Sequence, residues 1–412
     1  MTTPTADFDT IVVGGGPSGA TAAHDLARLG LNVLLLERGF RIKPCGGAIP
    51  PCLMEEFDIP DHLIKARIRS ARMVSPRGES VDMPIEGTFV GMVDRDEFDP
   101  WLRERAGKAG ATVMPGVFKS LRYEGDLISL TYQTKDDDPR SVTVTARSVI
   151  GADGARSGVA RATIPDAEKT PWVLAYHEII EVPEDQDWEA YDPDRCDVWY
   201  QGRLSPDFYA WVFPHGGNAS IGVGSAHKDF SAKASVAALR EDCGLTDAIT
   251  KRKEGAPIPM KPMRRWDDGR AVLVSGDAAG VVAPASGEGI YYAMLCGRLA
   301  ADAMQEFLET GDAKALGVAR KRFMKLHGKV FWALGLLQRF WYGTDKRREK
   351  FVAMCRDPDV QSLTWQSYTT KKLVRRRPLA HVRVFFKDVA QLLGLAQACL
   401  LYTSDAADDS LR

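Results

Sequence analysis

Two short stretches hold the residue types that could do chemistry. In VVGGGPSGATAA, Gly14, Gly16 and Gly19 stand at GxGxxG spacing behind an apolar run, and Glu37 follows 18 positions beyond Gly19. A bound pyrophosphate asks for this arrangement: Gly14 turns the chain, Gly16 admits the phosphates, and Gly19 lets a helix close on a strand. Pro17 and Ser18 complete the loop. Glu37, beside Arg38, is placed to accept hydrogen bonds from an adenosine ribose. Shortly afterwards, KPCGGAIP sets the thiol of Cys45 ahead of Gly46 and Gly47. Glycines allow close approach to the backbone, so something is expected to sit against this turn.

The elements that must position these groups are legible around them. A buried strand over 10–13 enters the glycine loop, and an Ala-rich helix leaves it and runs to Leu29. Gly30 and a second strand over 32–36 then end at Glu37. Strand, loop, helix, strand and acid together form a dinucleotide-binding unit, with helix amides satisfying the phosphate oxygens. Between about 166 and 265 the pattern changes to short alternating strands, among them WVLAYHEI, CDVWYQG, DFYAWVFPHG and NASIGVGSA. These predict a second, mostly antiparallel sheet. No second glycine-rich nucleotide loop occurs in the sequence.

Three further motifs bear on which dinucleotide is bound. They are VDRDEFDPWL with Arg95, VIGADGARSGVAR with Asp153 and Gly154, and VLVSGDAAGVVAPASGEGIYYAMLCG with Gly276, Asp277, Pro284, Gly287, Gly289 and Ile290. In this order they resemble the FAD-containing aromatic hydroxylase superfamily. The resemblance implies FAD, with Asp277 on the ribityl hydroxyls. It also implies a long helix from Ile290 whose positive end faces the flavin pyrimidine and favours the charge that reduction places there. Ala293, Gly297, Ala300 and Ala301 share one face of that helix, which can therefore pack closely.

A narrower likeness follows. Tyr209-Ala210-Trp211-Val212-Phe213-Pro214, seven residues, then Gly222-Val223-Gly224 is similar to the YxWxFP…GxG of the geranylgeranyl reductases, which also carry a CGG turn. To about residue 398 the chain resembles their chlorophyll and bacteriochlorophyll branch. The implied activity is reduction of a geranylgeranyl chain to phytyl by saturation of three double bonds. The implied substrate is a geranylgeranylated pigment or geranylgeranyl diphosphate, with NADPH as a transient electron donor. The CGG turn would approach the flavin ring, its glycines leaving room for ring or substrate. For Cys45, a role at the reacting face and plain packing as a small apolar residue both stay open. Tyr209 and Trp211 are candidates to stabilise a tertiary cation through their faces, and Phe213 reads as core. The proton could come from Cys45, His215 or water. Two rivals are a flavin monooxygenase acting on an aromatic or isoprenoid substrate, and a membrane pigment or lipid carrier that retains FAD.

The expected organisation is an α/β flavoprotein: an FAD-binding Rossmann-like domain over 1–165 and 266–315, and a β-sheet substrate domain over 166–265. A helical, basic region follows over 316–398. The tail 399–412 begins CLLYTSDAADD, resembles a translated library adapter, and is expected to lie outside the fold. Between 321 and 398 there are 17 Lys and Arg against 5 Asp and Glu, although the whole chain carries −1. KVFWALGLLQRFWY, with Phe331, Leu334 and Gln338 at helical spacing, and KKLVRRR from Lys371 suit contact with an anionic membrane surface. No recognisable nucleic-acid motif accompanies them. The seven cysteines lack metal-ligand spacing, and there is no secretory signal, so a cytoplasmic protein at the edge of a photosynthetic membrane is expected.

Overall fold

The computed structural model describes residues 6–39, 42–183 and 191–371. The basic run after Lys371, the segment to 398 and the tail 399–412 lie outside the described residues. The central strand, Phe8–Val13, is flanked in parallel by Val33–Glu37 and by the end of Ser141–Gly151. Val272–Val274 and the start of Thr112–Glu124 extend the parallel sheet on either side. The remainders of Thr112–Glu124 and Ser141–Gly151 leave this layer and pair antiparallel with Leu127–Thr134. Ile11, Val12, Leu34, Leu35, Val149 and Ile150 are fully buried, because helices and loops cover both faces of the parallel strands.

The helix Pro17–Arg28 starts where predicted, and the helix Ile290–Thr310 crosses it on its small-residue face. A Cβ at Gly297 would stand 2.2 Å from the Ser18 carbonyl oxygen, so the two backbones touch there. This contact draws the third flavin-type motif onto the glycine loop from nearly 300 residues away.

The second sheet has seven strands: Thr250–Pro259, Trp172–Glu181, Asn218–Ser225, Ala210–His215, Arg195–Trp199, Ser70–Val74 and Ser80–Pro84. Its pairings are antiparallel except that of Arg195–Trp199 with Ser70–Val74. The last two strands fall within 1–165 yet complete the substrate-side sheet. The edge of Arg195–Trp199 offers them hydrogen-bonding partners that no local pattern reveals. A small three-stranded sheet of Ala48–Ile49, Val90–Val93 and Ile64–Ile68 carries the CGG turn between the two large sheets.

The C-terminal helices Gly317–Trp341, Asp345–Met354 and Pro358–Thr370 pack back onto this body. Phe323 and Phe331 of the first lie edge-on to Tyr292, with ring centroids 6.1 and 4.9 Å away. Buried Arg348 donates to the carbonyls of Ser205, Pro206 and Tyr342 at 2.6–3.0 Å, pinning the second helix to the substrate-side sheet. Among the described residues no helix is long and apolar enough to cross a membrane.

Candidate functional site: a nucleotide cradle joined to an aromatic strand

At the N-terminus of Pro17–Arg28 the backbone amides have no side-chain cap, and the first turn carries no acid. Such an end attracts an anion. The glycines divide the work. Gly14, at φ +105°, lies against the Ala152 carbonyl, and a Cβ on Gly19 would stand 1.9 Å from the Gly14 carbonyl oxygen. Over Gly16, by contrast, a Cβ would meet only Arg95 Nη2, at 4.0 Å. That open shelf fits a pyrophosphate. Glu37 ends its strand as expected and accepts the Gly15 amide at 2.6 Å. The long helix Ile290–Thr310 likewise begins at Gly289 with no side-chain cap and no acid in its first turn. These residues fit FAD.

Arg95 is buried and forms a two-pronged pair with Asp99, both bonds 2.7 Å long. Burial alone would lower its pKa; Asp99 outweighs that, and Cys45 adds to the same side, so the guanidinium stays charged. Arg103, one further four-residue step along the helix Arg95–Lys108 that carries both, donates to the Gly15 carbonyl at 3.2 Å. The sequence reading passed over Arg103, although the spacing 95, 99, 103 places all three on one face. Asp153 turns inward: its carboxylate accepts from the Ser157 hydroxyl and from the amides of Gly158 and Val159, capping Gly158–Thr163. It braces the loop, and Gly154 beside it, at φ +85°, has open space where a Cβ would go. Asp277 is paired with Lys43, a residue of the KPCGG stretch given no role from sequence.

The CGG turn meets the other sheet. Where a Cβ would point, its glycines meet side chains of the other sheet and one carbonyl of the small sheet. A Cβ on Gly46 would stand 3.0 Å from the Phe213 ring, and one on Gly47, at φ +76°, would stand 2.5 Å from both His215 Cε1 and the Val93 carbonyl. His215 then locks the joint. Its Nδ1 lies 2.7 Å from Asp94 Oδ1 and its Nε2 3.2 Å from the Gly46 carbonyl. Both partners are acceptors, so a ring nitrogen that carries a proton donates to the partner it faces. Burial by itself would raise the Asp94 carboxyl; the hydrogen bond and charge of His215, then Lys65 and Arg252, hold it below its usual range. His215 is thus engaged on both nitrogens and serves as a clamp. Cys45 is half-buried, its Sγ accepting the Gly47 amide at 3.4 Å.

Along Ala210–His215 and the residue before it, Tyr209, Trp211 and Phe213 form a row, with successive ring centroids 5.9 and 6.1 Å apart. The paired strand explains the GxG that follows. Gly222 faces Trp211 in the register, where a Cβ would stand 2.3 Å from the indole, and a Cβ on Gly224 would stand 2.6 Å from Phe208. The aromatic row and the two glycines are one cross-strand unit. The Trp211 indole N–H donates to Ser220 Oγ at 3.1 Å, Ser220 bonds His177 Nδ1 at 2.8 Å, and His177 Nε2 meets Glu254 at 3.0 Å. This chain fixes the indole plane from behind. Tyr209 donates to the Ser286 carbonyl at 2.5 Å, tying the row to the turn before Ile290.

That turn holds a pair which the sequence did not announce. Glu288 meets the ammonium of Lys371, and both side chains are buried. The Lys371 nitrogen sits 3.8 Å over the Tyr368 ring, with Tyr292 and Tyr291 at 5.7 and 5.9 Å. Burial lowers the Lys371 pKa and raises that of Glu288, each partner opposing the other's shift. Lys371, expected on a basic outer face, instead closes the site from the C-terminal side; the other residues of KKLVRRR lie outside the described residues. Pro284 and Ile290 are buried beside this turn, Gly287 takes positive φ within it, and Gly276 does so farther upstream, just after Val272–Val274. No cluster of potential metal ligands occurs among the described residues.

The FAD binding domain family matches residues 7–320. A geranylgeranyl diphosphate reductase of Rhodobacter capsulatus is 54% identical over 94% of this chain and 98% of its own length. A chloroplastic enzyme of the same name from Nicotiana tabacum is 35% identical over 93% and 85%. Among solved structures, a geranylgeranyl bacteriochlorophyll reductase-like protein of Thermoplasma acidophilum superposes with a TM-score of 0.75 at 23% identity, covering 90% of this chain and 99% of its own.

Proposed function

Since this chain belongs to the FAD-binding geranylgeranyl diphosphate reductases, we propose that it reduces the geranylgeranyl chain of a (bacterio)chlorophyll or of the free diphosphate to phytyl, in pigment biosynthesis. FAD, when bound, supplies the hydride. Gly14, Gly16, Gly19 and Glu37 hold its nucleotide end, and the helix starting at Ile290 stabilises negative charge at the other. Gly46 and Gly47 join the cofactor side to the substrate side and leave Cys45 at the turn. The faces of Trp211 and Tyr209 stabilise positive charge on the tail, and the Ser220–His177–Glu254 chain keeps the indole from rotating away. NADPH is the electron donor, binding transiently, which accords with a sequence that carries a single glycine-rich nucleotide loop. A tail at home in lipid brings the protein against a membrane surface, which it meets through its basic C-terminal region.

The observation that carries this reading is the joint itself: Phe213 and His215 of the aromatic strand fill the space beside Gly46 and Gly47. It is tested by anaerobic mixing of the dithionite-reduced protein with geranylgeranylated pigment or geranylgeranyl diphosphate. Successive gains of two hydrogens on the tail, with flavin reoxidation, are expected in the mass spectrum and the absorbance. A product formed only with oxygen would mark a monooxygenase, and a flavin that stays reduced would mark a carrier. Trp211→Leu should cut turnover far more than FAD retention; unchanged turnover would remove Trp211 from the mechanism.

A further inference from the structure

The helix Gly317–Trp341 has two unlike faces. Its inner face lays Phe323, His327 and Phe331 on Tyr292, and Gly335 comes close enough to Pro284 that a Cβ there would stand 4.0 Å from the proline ring. Its outer face leaves Leu326, Trp332 and Leu336 at 59%, 73% and 55% exposure. Steps of three and four residues align these with exposed Arg322, Lys325, Lys329 and Arg339 in a single stripe. The helix has no Asp or Glu in its 25 residues, and six Lys or Arg. One acid from a neighbouring helix reaches the stripe, Asp302, 3.2 Å from Arg322.

An exposed indole between leucines costs free energy in water. Flanking ammonium and guanidinium groups on flexible stems suit a plane of negative charge over apolar chains. From these observations, and resting on the reading that the substrate tail resides in lipid, we propose that the outer face of Gly317–Trp341 lies flat on an anionic bilayer. Leu326, Trp332 and Leu336 dip below the headgroups, and Arg322, Lys325, Lys329 and Arg339 contact lipid phosphates. The membrane then stands one helix diameter, about 10 Å, from Tyr292 and Pro284. A tail leaving the bilayer beside this helix reaches the site without crossing bulk water.

The test uses the full-length FAD-loaded protein with vesicles of phosphatidylcholine, alone or mixed with phosphatidylglycerol. The protein should float with the mixed vesicles and lose them as salt rises, because bound lipid charge is screened. Acyl-chain-brominated lipid should quench tryptophan emission, and W332F should abolish most of that quenching. K325E/K329E should lower partitioning at least about tenfold, since each basic residue near such a surface contributes about a factor of five. FAD retention and reduction of soluble geranylgeranyl diphosphate should be unchanged in both variants. If the unaltered protein ignores both vesicle types, this proposal and the membrane reading beneath it fail together. If it floats and both variants float and quench like it, the helix is not the contact and the proposal alone is overturned.

Discussion

The two glycine-rich turns of this protein look alike as strings and behave oppositely as structures. In the loop from Gly14 to Gly19, Gly14 and Gly19 are pressed against backbone so that Gly16 can stay uncovered. In the turn from Cys45 to Gly47 both glycines are covered where a Cβ would point, Gly46 by Phe213 and Gly47 by His215 and the Val93 carbonyl. The first is a cradle and the second a joint. A glycine is required wherever something comes close, and the string does not say whether that something is a ligand or another part of the chain. The difference matters for function: the cradle takes its shape from a local fold, whereas the joint is complete only when the second sheet has docked.

Breaking each turn at its tightest glycine separates the two roles. Gly19→Ala should have the largest effect, because its Cβ would fall 1.9 Å from a backbone oxygen with no flexible side chain to yield. A loss of about 3 kcal/mol or more is expected, seen as collapsed soluble yield and material that carries no FAD. Gly47→Ala comes next. Its positive φ costs about 1–2 kcal/mol, and the contact with His215 and Val93 adds to it. Here the cradle should survive, so that the protein stays yellow while reduction of the tail is lost. A colourless Gly47→Ala protein would mean that the turn belongs to the cradle after all.

A gentler change tests the clamp on the joint. His215→Gln leaves both glycines in place but removes the imidazole partner of Asp94. In the folded protein the Asp94 carboxyl lies below its ordinary value of 3.8, so its contribution is fully present above that pH and is lost as pH falls through the folded value. The gap between the urea midpoints of the original protein and the variant should therefore be open at neutral pH and close on acidification below about 3.8. Its size should be about 1 kcal/mol, discounted for the partial exposure of Asp94. A gap that persists unchanged into acid would leave the ion pair without a part in stability.

The same contrast explains what could be read before the fold was known. Strands at 10–13 and 32–36 and the small-residue face of the long helix were legible because each is a local period, and they stand as Phe8–Val13, Val33–Glu37 and the contact of Gly297 with Ser18. The alternating strands of the second sheet were legible for the same reason. Its two strands from residues 70–84 were not, since edge pairing depends on which neighbour arrives. The contacts of Gly46 with Phe213, Gly47 with His215 and Glu288 with Lys371 join residues 167, 168 and 83 positions apart, and no window along the chain contains them. For Lys371 composition misled directly. A lysine opening a basic run suggests solvent or lipid, yet here it is buried, and the tyrosines around it and a buried carboxylate offset its desolvation only in part. Trp332 shows the reverse: Phe331 packs inward on Tyr292, and Trp332 beside it faces outward in a stretch whose composition already suited a surface.

The smallest structural effect should come from the glycine that matters most to the ligand. A methyl on Gly16 meets only the end of the Arg95 guanidinium at 4.0 Å, an ordinary contact, and its φ of −78° is open to any residue. Folding should therefore register Gly16→Ala only through the lower chain entropy of alanine, within about 0.5 kcal/mol of the original protein by urea denaturation of the apo form. FAD should register it strongly, because the methyl stands on the shelf where the pyrophosphate must approach the amides. At least a tenfold rise in the dissociation constant is expected, about 1.4 kcal/mol, measured by titrating apoprotein and following quenching of flavin fluorescence. Equal FAD affinity with altered stability would invert the comparison, making Gly16 part of the packing and leaving the cradle without its opening.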